Sequence, residues 1–275
     1  MSMDVESFYG LAEPPFSSAP DERFYYDSPQ HSKALIKLMH AAERMEGLVT
    51  LVGDIGTGKT TLARRMLDML SEQGSFETIL LVIIHPEISS FWFLRKVAAL
   101  LGVDSPSEEK GEVVAAMYRV LLDLHERGRK PVVLVDEANM LQRKELMEEI
   151  RGLLNIELQG GRLLTFFLFG LPDMEDYLRL DEPLQQRIAM RCRLDPLERK
   201  SVGDYIRYRL QVAGREDELF TDDAIDLISD YSQGRPRVIN TICNNALLEG
   251  AIEGAQIIER ELIDSVARDL DLVRE

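Results

Sequence analysis

Four stretches of the chain, 48–52, 79–84, 132–135 and 163–169, are apolar at nearly every position. Between them lie segments with apolar residues at helical spacing and charged outer faces, such as 113–126 and 144–158. A strand with one solvated face alternates apolar and polar residues, whereas a continuous apolar run is what a strand covered on both faces requires. Such strands alternating with amphipathic helices predict an α/β fold with a parallel sheet between helices. A short fifth strand is expected at 192–194, after which the pattern turns helical from about Ser201 to the end. Thr221-Asp222-Asp223 starts one of these helices, Gly234 to Pro236 punctuates the next, and Glu259 begins a last one that ends near 269–272.

Ahead of the first strand, Ser28-Pro29 reads as a helix cap followed by proline at the first helical position. Ala34, Leu35, Leu38, Met39 and Ala42 then share one helical face. The opening stretch, from Phe8-Tyr9-Gly10-Leu11 through Pro14-Pro15-Phe16 to Phe24-Tyr25-Tyr26, mixes proline with aromatics and has no steady period. Its aromatic content argues for an ordered arm lying on the core. The expected organisation is therefore an arm at 1–27, an α/β domain at 28–198 and a helical domain at 199–275.

Composition adds limits. The longest apolar run, 79–84, is too short to cross a bilayer, and Met-Ser-Met-Asp-Val-Glu lacks the basic and apolar regions of a signal peptide. A cytoplasmic chain without a membrane span is expected. The 48 acidic against 32 basic residues give a net charge of −16, which repels polyanions and disfavours nonspecific binding to DNA or anionic lipid. A local basic channel stays open as an alternative, because Arg187, Arg191, Arg193, Arg199 and Lys200 cluster in sequence. The two cysteines, Cys192 and Cys243, form no Cys-x-x-Cys pair and read as reduced, buried thiols.

The segment Gly53-Asp54-Ile55-Gly56-Thr57-Gly58-Lys59-Thr60 fits the phosphate-binding loop pattern, and it follows an apolar strand and precedes a helical run that begins at Thr61. Glycines let backbone amides turn toward phosphates without an intervening side chain, and the helix start adds a favourable dipole. Lys59 offers a positive charge to the β- and γ-phosphates of ATP, and the Thr60 hydroxyl offers an oxygen to Mg2+. The run Val132-Val133-Leu134-Val135 ends in Asp136 and Glu137. There Asp136 can hold Mg2+ through its water shell, and Glu137 can orient and deprotonate the water that attacks the γ-phosphate.

With these elements in place, the chain resembles the AAA+ ATPases of the general secretion pathway component A group, which includes the similar mannose-sensitive haemagglutinin pilus biogenesis ATPase. The resemblance rests on the arm motifs Phe8-Tyr9-Gly10-Leu11, Pro15-Phe16 and Pro20-Asp21-x-Arg23-Phe24, on the phosphate loop, and on Asp136-Glu137. It continues through Gly170-x-Pro172-Asp173, Gln186-Arg187-Ile188 and Gly234-x-Pro236-Arg237-x-Ile239-Asn240. It implies an AAA+ P-loop NTPase with a parallel five-stranded sheet, a small all-helical lid domain, and an active site completed by a neighbouring copy. Arg187 corresponds to the arginine finger, with Arg191 and Arg193 as rivals, and Arg237 corresponds to sensor 2, with Arg235 as its rival.

Two positions depart from the family pattern. Leu171 stands where a glutamine is usual and cannot form a side-chain hydrogen bond. His85 stands where an asparagine is usual; an imidazole there could bond Glu137 or simply end a strand. Intact nucleotide binding with hydrolysis that is slow or partner-dependent is the expectation. Relatives often continue into a membrane span and a peptidoglycan-binding region, so the chain reads as a standalone ATPase or a fragment. The function implied is ATP-dependent homo-oligomerisation that powers or regulates assembly of a type II secretion or type IV pilus machine, peripheral at the inner membrane through a protein partner. The alternatives are a nucleotide-gated DNA-binding adaptor, like the transposition ATPases, and a slow ATP-sensing scaffold.

Overall fold

The computed structural model describes residues 4–17, 21–104, 107–158 and 161–273. The arm residue Pro20 lies outside them. The chain divides into two compact units, one comprising Lys33–Asp54 and Lys59–Leu194, the other Met1–Ser32, Ile55–Gly58 and Asp195–Glu275.

In the first unit five parallel strands form one sheet: β1 (Leu48–Gly53), β2 (Phe76–Val82), β3 (Lys130–Asp136), β6 (Thr165–Gly170) and β7 (Ile188–Leu194). Their order is β2-β3-β6-β1-β7. A separate antiparallel ladder joins β4 (Glu157–Leu158) to β5 (Gly161–Arg162). The helices are α2 (Pro29–Glu43), α3 (Lys59–Glu72), α4 (Ser90–Leu100), α5 (Lys110–Glu126), α6 (Lys144–Leu154), α7 (Met174–Leu178) and α8 (Glu182–Gln185), after α1 (Val5–Tyr9) in the arm.

The continuous apolar runs are explained by two cores, one on each face of the sheet. Val133, Val135, Phe166 and Leu168 pack with Phe93 and Val97 of α4, Met117 and Leu121 of α5 and Ile150 of α6. The alternate residues Val132, Leu134, Phe167 and Phe169 pack with Leu38 of α2 and Leu62, Met66 and Leu70 of α3. The period of two sends neighbours to opposite faces, and both faces are covered.

Several boundaries differ from the sequence expectation, and three of the differences have a clear cause. Strand β2 starts at Phe76, because pairing with β3 runs from Phe76↔Lys130 to Val82↔Asp136. Helix α6 stops at Leu154, where Asn155 closes it, and Glu157-Leu158 enter the small ladder. The fifth strand extends back to Ile188, where exposed Ala189, Arg191 and Arg193 alternate with inward Met190, Cys192 and Leu194. One face of β7 is exposed, so the strand alternates and lacks the continuous apolar signal of strands covered on both faces.

The second unit is built on α9 (Arg199–Val212), α10 (Asp222–Ser232), α11 (Pro236–Glu253) and α12 (Arg260–Asp269). Its core takes Ile206, Phe220, Ile228, Ile242, Leu247 and Ile263 from these helices and their connections, and Tyr9, Leu11, Phe16 and Phe24 from the arm. The core on which the arm lies is thus the helical one. Gly10, at φ +66°, closes α1 and turns Leu11 inward. The Ala12 amide donates to the Ala213 carbonyl at 2.8 Å. Buried Arg209 spreads over the Phe24 ring, 4.9 Å from its centroid, and donates to the Pro15 carbonyl. Both cysteines are free and buried, and burial pushes the two thiols up. Among the described residues no helix is long and apolar enough to cross a membrane.

Candidate active site

Strand β1 is buried along its whole length and delivers Gly53 to the C-terminal edge of the sheet. The chain then turns through the phosphate loop into α3, which starts at Lys59. Gly56 at φ +79° and Gly58 at φ +102° lie in the left-handed region that glycine adopts without steric cost. The amides of the first turn of α3 have no partner within the helix, and with the helix dipole they form an anion-binding end. Buried Lys59 sends its Nζ to the Gly53 and Asp54 carbonyls, at 2.9 and 3.0 Å. Thr60 and Thr61 are exposed on the first turn of α3, and Asp54 and Ile55 are exposed in the loop.

Strand β6 lies between β1 and β3, and all three are parallel, so β3 ends at the same edge as the phosphate loop. Its terminal Asp136 is 2% exposed. Glu137 follows in the left-handed region at φ +53°, half-buried, and its amide donates to Asp136 Oδ1 at 3.0 Å. A non-glycine residue held there costs about 1–3 kcal/mol, a strain typical of functional positions. Thr60 and Asp136 supply a hydroxyl and a carboxylate, the hard oxygen donors that suit Mg2+, which ordinarily takes only one or two protein ligands beside phosphates and water.

The region after β6 shows a residue that the sequence pattern did not single out. Asn139, 3% exposed, accepts at its Oδ1 from the Leu171 amide at 3.2 Å. A side chain on Gly170 would meet the Asn139 amide at 3.0 Å and Met174 Sδ at 2.8 Å. The turn beyond Glu137 is thereby fixed to the end of β6 through the main chain of Leu171, whose own side chain contributes no hydrogen bond. His85, three residues beyond the end of β2, is exposed and forms no hydrogen bond to Glu137. Replacing Glu137 with glutamine is expected to lower turnover about 10²–10⁴-fold, the usual share of a general base, with ATP affinity retained. Calorimetric titration alongside steady-state turnover checks this; equal losses in both would contradict it.

Arg187 is half-buried just before β7, its amide donating to the Leu184 carbonyl at 2.9 Å. The preceding α8 is capped by buried Asp181, which binds the Leu184 amide and accepts Arg151 Nε at 3.1 Å on both carboxylate oxygens. Strand β7 lies parallel to β1, with Ile188 beside Leu48 and Leu194 beside Gly53. Arg187 is therefore at the opposite end of β1 from Gly53. Five strand steps separate the two levels, about 17 Å, which exceeds the reach of an arginine side chain. Of its rivals, Arg191 pairs with Glu175 at 4.0 Å, and both Arg191 and Arg193 project from the exposed face of β7.

In the other unit, the Arg237 amide donates to the Gly56 carbonyl at 3.3 Å, and a side chain on Gly56 would meet Arg237 Cβ at 2.9 Å. Arg237 is exposed in the first turn of α11, whereas Arg235 turns its Nε back to the Ser232 carbonyl at 3.0 Å. The tip of the phosphate loop also receives His31, which is 5% exposed and places Nε2 3.0 Å from the Thr57 carbonyl. Nothing in the spacing marks this histidine, because its burial depends on contacts remote in sequence.

Residues 42–178 match a family described as an AAA domain. General secretion pathway protein A of Aeromonas hydrophila is 34% identical over 271 residues, which cover 98% of this chain and 49% of that protein. The chain thus spans about half the length of this relative. Among solved structures, the Aeropyrum pernix ORC2 protein in its ADPNP-ADP complexes is similar with a TM-score of 0.70 and 15% identity, over 94% of this chain and 71% of that one. The Cdc6p of Pyrobaculum aerophilum gives a TM-score of 0.69 and 19% identity, over 93% and 70%. Those two share the fold, and the secretion relative shares the sequence along nearly the whole chain. Residues 42–178 thus form an AAA domain, and the chain is an ATPase similar along nearly its whole length to General secretion pathway protein A.

Proposed function

We propose that this ATPase binds ATP with Mg2+ at 53–60, completes its active site with a second copy of itself, and uses that ATP-dependent association to drive or regulate assembly of a cell-envelope machine. The observation that carries the shared site is the position of Arg187. It lies at the end of β7 away from its own phosphate loop, following a short helix that is capped by Asp181 and tied through it to Arg151. A guanidinium so placed serves the phosphates of a neighbour or none at all.

In this reading the amides of 56–60 and the Lys59 ammonium hold the β- and γ-phosphates, and Arg237 contacts them from the start of α11. Thr60 and Asp136 would hold Mg2+, which neutralises charge developing on the phosphate oxygens. Glu137 takes a proton from the attacking water, and the neighbour's copy of Arg187 stabilises the transferring phosphoryl group. Similarity to General secretion pathway protein A supports a secretion machine as the assembly served. The net charge of −16 weighs against a DNA-binding adaptor.

Slow basal hydrolysis follows from Leu171, since no side chain at that position can help place the attacking water. Steady-state turnover of the purified protein is expected well below the enzyme median of about 10 per second and to rise more than linearly with protein concentration. A fast rate strictly proportional to protein concentration would contradict both parts of the reading.

A further inference from the structure

His31 reaches the phosphate loop by a route that the nucleotide-site motifs do not include. Ser28 caps α2, accepting the His31 amide at its Oγ at 3.3 Å, and the same hydroxyl lies 2.7 Å from His31 Nδ1. The opposite ring nitrogen, Nε2, lies 3.0 Å from the Thr57 carbonyl. A carbonyl only accepts, so Nε2 carries the proton and Nδ1 accepts from the Ser28 hydroxyl. Both ring nitrogens are therefore committed, in a site where Ser28 and Thr57 are fully buried and the Tyr25 ring stands edge-on to the imidazole. Burial pulls the His31 pKa down, which keeps the ring neutral in this arrangement.

The geometry points to His31 as a positioning residue of the phosphate loop, one that fixes the Thr57–Gly58 peptide so that the Gly58 amide faces the phosphates. In a trans peptide the carbonyl and the following N–H point in opposite directions. No peptide bond among the described residues is cis. With the Thr57 oxygen held by Nε2, the Gly58 N–H is directed away from the imidazole, toward the side on which a loop of this pattern binds phosphate. Gly58 has a second reason to be glycine here, since a Cβ would stand 2.7 Å from His31 Nε2. Without the brace the peptide can rotate, and an amide that must be reoriented binds an anion less tightly.

This inference rests on the nucleotide-site reading, and one titration series separates the two. Wild type, His31→Gln and His31→Leu are titrated with Mg-ATP and with ADP, and their thermal unfolding is recorded. Glutamine keeps an N–H donor close to the position of Nε2, and leucine keeps volume without the donor. His31→Gln is expected to bind both nucleotides within about twofold of wild type, and His31→Leu about five- to tenfold more weakly, the loss of one hydrogen bond. Wild-type affinity in His31→Leu, or a loss in His31→Gln as large as in His31→Leu, would overturn the role of His31. Should His31→Leu fail to fold, His31→Gln alone decides: retained affinity supports the brace and weakened affinity overturns it. Absence of ATP binding by the wild type would instead overturn the nucleotide site itself.

Discussion

Gly234→Ala is expected to prevent stable folding of the unit containing the C-terminal helices. An added Cβ would stand 2.0 Å from the Leu197 carbonyl oxygen, 2.9 Å from its carbon and 3.0 Å from its nitrogen. All three are backbone atoms, so no rotamer change relieves the overlap. The two segments cannot simply part, because the Leu197 amide donates to the Gly234 carbonyl at 2.8 Å and the Gly234 amide to Ser232 Oγ at 3.2 Å. A left-handed φ of +69° adds about 1 kcal/mol for any residue with a Cβ. The sum should exceed about 4 kcal/mol, a large fraction of the 5–15 kcal/mol typical of a whole domain. Gly254 is the internal control, with φ +78° and nothing within 4 Å of the position of its Cβ. Chemical unfolding followed by circular dichroism should show Gly254→Ala losing about 1 kcal/mol and Gly234→Ala losing the transition of that unit. Similar losses in the two variants would remove the overlap as the cause.

Arg187→Ala is the second large effect expected, a fall in turnover of about 10³-fold or more, with ATP affinity within a small factor of wild type. The half-buried guanidinium lies too far from its own loop to contribute to ground-state binding there. Removing it should therefore leave the Kd of ATP in place and abolish the rise of specific activity with protein concentration. Arg187→Lys should not rescue, because an ammonium lacks the planar fork that spans two phosphate oxygens. A variant with normal turnover would show that Arg191 or Arg193 acts instead, or that the site is complete within one chain.

Much of this site can be read in the chain because its chemistry is local. The phosphate loop is eight consecutive residues between a strand and a helix, and Asp136-Glu137 end an apolar run. Both follow from the patterning of central strands, which are apolar on both faces. Strand β7 is less legible because one of its faces is exposed, and the arginines on that face break the apolar run. Asn139, His31 and Asp181 are harder still, since each acts through a partner more than 20 residues away. A buried polar residue has no sequence periodicity of its own; its meaning depends on which hydrogen bond the fold brings to it. The arm shows the same limit. Its aromatics predict burial, but the helices they pack against follow nearly 200 residues later.

The shared site is tested most directly by mixing two inactive chains. Arg187→Ala keeps its own phosphate loop and Glu137 but offers no finger, and Glu137→Gln offers a finger but cannot activate water. If neighbouring copies complete each other head to tail, an equimolar mixture contains roughly a quarter of its interfaces with an intact site facing an intact finger. Steady-state ATP turnover of the mixture should then recover to a measurable fraction of wild type, while either variant alone stays near background. A mixture no more active than the sum of its two components would contradict the shared site.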